Sequence, residues 1–141
     1  MTPVQALQQA LAAEHAALYV YGVLGARVSA SDQPALIALL TAAYTAHRGR
    51  RDQLTAMVRA AGGEPVAAAL SYRLPNASRT AAQLRTGAAV IERRCAAVYA
   101  AAVGSTSRTD RQWAIGALTD AAVRELSFGG SPTAFPGVEE L

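Results

Sequence analysis

Val4, Leu7, Leu11, Glu14, Leu18, Tyr21, Gly25 and Val28 recur along the first stretch of the chain at steps alternating between three and four residues. Only an α-helix puts residues with that spacing on one face, so the pattern predicts a helix over residues 3–28. Pro3 falls in its first turn, where a missing backbone N–H is harmless. One position of this seam is a carboxylate. A buried charge is costly unless it is paired, so Glu14 predicts polar partners arriving from other helices.

The rest of the chain supports the same class. Hydrophobic residues make up 52% of the 141 and aromatics only 6%, so the apolar content is mostly alanine, a strong helix former and a poor strand former. The length fits one all-α domain over residues 1–141 with a core of its own. A single cysteine, Cys95, excludes an internal disulfide and the Cys-based zinc spacings, and its apolar register reads as a small buried hydrophobe. No run approaches the ~20 apolar residues of a membrane span, and no secretory signal is visible, which gives the expectation of a cytoplasmic protein without a membrane partner. All 13 basic residues are Arg, the net charge is +3, and the arginines are spread along the chain rather than gathered in a recognition motif. Nucleic acid is therefore not expected as a partner.

Ser29, Ser31 and Asp32 break the first helix, and Pro34 lies in the first turn of a second. Its stripe reads Leu36, Leu40, Tyr44, His47, Arg51, Leu54, Val58 and Ala61, up to Gly62 and Gly63. Residues 62–76 form a connection of 15 residues with two prolines and a double glycine. A third helix opens near 76–78, carries Leu84, Ala88, Ile91, Cys95, Val98 and Ala102, and stops at Gly104. Thr109 or Asp110 caps a fourth, which runs through Trp113, Ile115, Leu118, Ala121 and Val123 to about Phe128. Residues 129–141 are left as an extended tail, with Phe135 lying over the bundle or a partner subunit.

Loop lengths choose the topology. Short links make two antiparallel hairpins, whereas a 15-residue link spans up to ~50 Å, more than the ~39 Å length of a 26-residue helix. The fold expected is a four-helix bundle with ferritin-like connectivity, two hairpins joined by one long crossover. In that topology helices 1 and 4 oppose helices 2 and 3, and counting from their ends brings Glu14, His47, Glu92 and Asp120 to one level. Periodicity instead turns Glu125 inward, on the line Leu118, Ala121, Glu125, Phe128. Both acids stay candidates for the same layer.

Four polar residues from four helices at one depth suggest a di-metal site. Such bundles use one Glu from each of two helices and Glu-x-x-His from each of the others. Here Tyr44 stands where the second helix should have Glu, and the fourth helix has no histidine. Arg51, one turn past His47 on the stripe, could neutralise the acids as a metal would. The cluster expected is thus Glu14 and Glu92 with Arg51 or Arg94; Glu14, His47 and Glu92 holding iron or manganese is the alternative. Tyr19, Tyr21, Tyr44 and Tyr99 read as core, His15 as a boundary residue turned about 100° from Glu14, and Arg48 with Asp52 as a surface pair.

The segments Glu14-His15-Ala16-Ala17, Tyr19-Val20-Tyr21-Gly22, His47-Arg48-Gly49-Arg50-Arg51-Asp52-Gln53-Leu54, Gly62-Gly63-Glu64-Pro65 through Tyr72-Arg73-Leu74-Pro75, and Pro132-Thr133-Ala134-Phe135-Pro136-Gly137 resemble the bacterial ferritin-like family of domains of unknown function. The resemblance covers nearly the whole chain. It implies a ferritin-like bundle commonly paired into homodimers, with no established activity. Three functions are compatible with the residues: a metal-free protein whose polar layer is structural or lines a small-molecule pocket, a metal-dependent oxidase, and a dimeric interaction module using the alanine-rich faces and the Phe135 tail.

Overall fold

The computed structural model describes residues 1–138; the last three residues of the predicted tail, 139–141, lie outside the described residues. Four helices form: α1 (Pro3–Arg27), α2 (Pro34–Ala60), α3 (Ala81–Ser105) and α4 (Arg108–Ser127). Capping boxes start two of them. Thr2 and Gln5 satisfy each other's backbone N–H groups at α1, and Thr80 and Gln83 do the same at α3.

The α3 box corrects one expected boundary. The helix begins at Ala81 rather than near 76–78, because Asn76 and Ser78 fold the preceding segment into a turn of their own. Asn76 Oδ1 accepts from the Ser78 N–H at 2.8 Å, and Ser78 takes the left-handed φ of 52° that this turn requires. The start of α4 is also corrected: Ser107 is its N-cap, and Asp110 lies in the first turn, where it faces the positive end of the helix dipole.

The two hairpins are joined by the long crossover, as the loop lengths predicted. The link runs the length of α1. Gln8 holds the backbone of Glu64 and Val66, His15 Nε2 donates to the Val66 carbonyl at 3.0 Å, Tyr72 packs on Tyr19, and Arg27 donates to the Ala77 carbonyl at 3.1 Å. This delivers α3 to the far end of α1, so α3 runs antiparallel to it. Beyond α4, Gly137 presses the tail onto α3, where a Cβ would collide with the Ala96 backbone carbonyl. Phe135 is 62% exposed.

Burial differs between the helices in a way that heptad counting did not foresee. Close approaches run between α1 and α2, α1 and α3, and α3 and α4, whereas α2 approaches α4 as sparsely as it approaches its diagonal neighbour α3. With two neighbours, α1 buries a wide arc: Ala6, Ala10, Ala17, Val20 and Leu24 in addition to Leu7, Leu11, Glu14 and Tyr21. Leu18 and Gly25, on the predicted seam, sit at the edge of that arc and are half-buried. In α3 the wide arc takes in Tyr99 and Ala96, while Val98 is half-buried.

By contrast, α2 and α4 bury narrow stripes. In α2 the stripe is Leu36, Leu40, Ala43, His47, Arg50, Leu54 and Val58. Tyr44, placed in the core by the spacing, is 39% exposed, because the stripe steps three residues from Leu40 rather than four. In α4 it is Ala114, Ala117, Ala121 and Glu125, small side chains that allow close approach to α3, and the predicted core residues Ile115 and Val123 face outward.

Candidate functional site

Glu14 of α1, His47 of α2 and Glu92 of α3 meet in the core, each 0% exposed. The two ring nitrogens of His47 point at different carboxylates: Nδ1 donates to Glu14 Oε2 at 2.7 Å and Nε2 to Glu92 Oε1 at 3.0 Å. An ionised carboxylate can only accept, so two such partners call for a proton on each nitrogen. Burial alone would lower the His47 pKa. The hydrogen bonds to Glu14 and Glu92, with the negative charge of both, outweigh it and push the value up to about 9.

Two tyrosines extend the chain at either end. The Tyr99 hydroxyl donates to Glu14 Oε1 and the Tyr21 hydroxyl to Glu92 Oε1. Tyr21 also stacks on the imidazole, with ring centroids 5.2 Å apart and planes inclined by 24°. Burial, and next the adjacent Glu92 charge, hold the Tyr21 phenol far above its ordinary pKa, so it stays a donor. The result is one hydrogen-bonded line, Tyr99, Glu14, His47, Glu92, Tyr21, that ties α1, α2 and α3 together.

Arginines complete the cluster on the α4 side. Arg124 Nε lies 3.3 Å from Glu92 Oε1, a charge contact outside hydrogen-bond alignment. Arg124 Nη2 binds Asp120, one turn earlier on α4, and Arg50 of α2 reaches the same Asp120 oxygen. The Arg50 guanidinium also lies over the Tyr99 ring, 5.5 Å from its centroid. The formal charges balance, three carboxylates (Glu14, Glu92, Asp120) against three cations (His47, Arg50, Arg124).

Several sequence expectations change here. Arg51 is not in the cluster: it turns outward and pairs with Asp52 at 2.7 Å, taking the partner expected for Arg48. Arg50, its neighbour, points inward instead. Steps of three and four residues from His47 are both allowed on one helix face, so spacing could not choose between them. Arg94 is exposed. Arg124 was missed, although its i, i+4 relation to Asp120 is a readable signal. Of the two helix 4 acids, Asp120 is the one level with the network and joined to it through the arginines, yet its side chain is 48% exposed. Glu125 is the buried one, 7% exposed, but it accepts from Arg93 Nε and Nη2 at 2.9 and 2.7 Å, apart from His47. Depth and periodicity were reporting two different ion pairs.

The donor set does not fit a di-metal centre. Among the described residues no three His, Cys, Asp or Glu side chains converge as metal ligands. The imidazole ring stands between Glu14 and Glu92, and both of its nitrogens are taken up by them.

Cys95 lies on the same face of α3, one turn from Glu92 and one from Tyr99. Burial, and next the charges of Glu14 and Glu92, raise its thiol well above the ordinary range. The folded protein should therefore react with a thiol-specific reagent at neutral pH roughly a hundredfold more slowly than the protein in urea, as followed by absorbance.

The chain belongs to a family described as a domain of unknown function, DUF4439, whose profile matches residues 6–140. A crystal structure of a conserved hypothetical protein, rv2844, from Mycobacterium tuberculosis is similar to it, with a TM-score of 0.82 and 34% identity over 89% of this chain and 93% of that one. No curated protein matches it. No helix among the described residues is long and apolar enough to cross a membrane.

Proposed function

We propose that this chain is a ferritin-like protein that works without metal, its charge-balanced network standing where related bundles hold two cations, and that the network is structural. The observation that carries this reading is the position of His47. A histidine ligand offers a lone pair to a metal, but here both nitrogens donate, and the protonated ring together with Arg124 balances the two acids. Tyr44 on the outer face and the absence of any histidine from α4 remove the remaining ligands that a di-iron bundle requires. An iron- or manganese-dependent oxidase is the competing reading, supported by Glu92 Oε2, which is buried without a hydrogen-bond partner among the described residues.

Metal analysis separates the two. Protein purified without chelator, then exposed to ferrous iron or manganese and desalted, should retain far less than one ion per chain. Stoichiometric metal that disappears in Glu14→Ala would overturn the proposal.

A further inference from the structure

Three sides of the bundle are closed by close helix packing; the fourth, between α2 and α4, is not. Two side-chain bridges span this seam: Arg50 to Asp120, and Trp113 Nε1, which donates to Gln53 Oε1 at 2.8 Å. The first has an unusual composition. Two guanidiniums from different helices converge on a single carboxylate oxygen, and that carboxylate is the exposed member. The side chains of Arg50 and Arg124 are 11% and 15% exposed, against 48% for that of Asp120. Arg50 Nη1 is buried with no hydrogen-bond partner among the described residues.

A buried and a half-buried arginine facing a solvent-exposed acid have the chemistry of a receptor for carboxylates. A guanidinium presents a planar fork of N–H groups that suits a carboxylate with both oxygens engaged. Asp120, tethered to α4, engages the fork through one oxygen and leaves Nη1 of Arg50 unfilled. A free carboxylate could take both positions. We infer that the α2–α4 seam binds a small carboxylate-bearing molecule between Arg50 and Arg124, and that Asp120 occupies this position until the ligand displaces it. The site adjoins the His47 network through the Arg124–Glu92 contact, but it is read by acetate binding rather than by metal retention, so this inference and the metal-free reading can fail separately.

Trp113 is the chain's single tryptophan and lies on the seam, edge-on to the Tyr99 ring that supports Arg50. Its fluorescence can be titrated with acetate against chloride at equal ionic strength. The wild-type signal should change along a saturable curve with acetate and not with chloride. Asp120→Asn should lower the acetate midpoint by roughly tenfold, since the competing internal charge is gone, and Arg50→Gln should abolish saturation. Arg50→Lys keeps the charge but loses the fork, so it tests the geometry even if Arg50→Gln does not fold; its midpoint should rise by roughly tenfold. A response shared by acetate and chloride, or an acetate midpoint unchanged in Asp120→Asn and Arg50→Lys, overturns the inference.

Discussion

Replacing His47 with alanine is expected to cost about 3–5 kcal/mol of folding stability, because it removes the cation between two buried acids and leaves both poorly compensated. Glu14 keeps only the Tyr99 hydroxyl, and Glu92 keeps the Tyr21 hydroxyl and the misaligned Arg124. A cavity the size of the imidazole adds to the loss. Urea denaturation followed by helical circular dichroism measures it directly. A change below about 1 kcal/mol would mean that the acids can shed their charge without strain, and that the network is not an ionic one. Removing the whole network is a different experiment. Apolar residues at positions 14, 47 and 92 should restore much of the stability only if Tyr21 and Tyr99 also become phenylalanine, since their hydroxyls would otherwise be left buried without acceptors.

The same histidine should make stability fall in alkali. Its pKa is about 9 in the folded protein against 6.5 for an ordinary histidine. A group whose folded pKa is raised stabilises fully below its unfolded pKa and loses that contribution as pH climbs through the folded value. The window is therefore pH 6.5 to 9. The shift corresponds to roughly 3 kcal/mol lost across it, by the 1.36 kcal/mol per pH unit of proton linkage. Urea midpoints at pH 6 and pH 10 should differ accordingly, and His47→Gln should flatten the dependence. A wild-type midpoint that is constant over this range would show that His47 is not held as a cation.

What the sequence disclosed follows from what periodicity encodes. Helix number, the crossover and the common depth of Glu14, His47 and Glu92 depend on spacing and length, which survive errors of a few residues in each boundary. The choice between Arg50 and Arg51, or between Ala43 and Tyr44, depends on rotation about the helix axis, and adjacent residues differ there by about 100°. A seam counted against one neighbour also misplaces the burial of a helix that has two, which is why Ala17 and Ala96 were not seen as central while Leu18 and Val98 were. Arg124 lay outside the reading because its function depends on a carboxylate of another helix, Glu92, a relation that no local spacing records.

The division of the network between the hairpins bears on how the chain assembles. Within the network the first hairpin contributes Glu14, His47 and Arg50 and so carries one excess positive charge, whereas the second contributes Glu92, Asp120 and Arg124 and carries one excess negative charge. Neither half is neutral alone. The bonds that join them are non-local, linking residues 45 to 85 positions apart, so closing them costs more chain entropy than forming the contacts within each hairpin. Docking must then strip water from matched ions, and a second hairpin offered in the wrong register would bury a carboxylate against apolar side chains. The crossover clasped along α1 narrows that search by delivering α3 to the correct end. The network thus acts as a recognition code between two halves of one molecule, read once, at the moment the core closes.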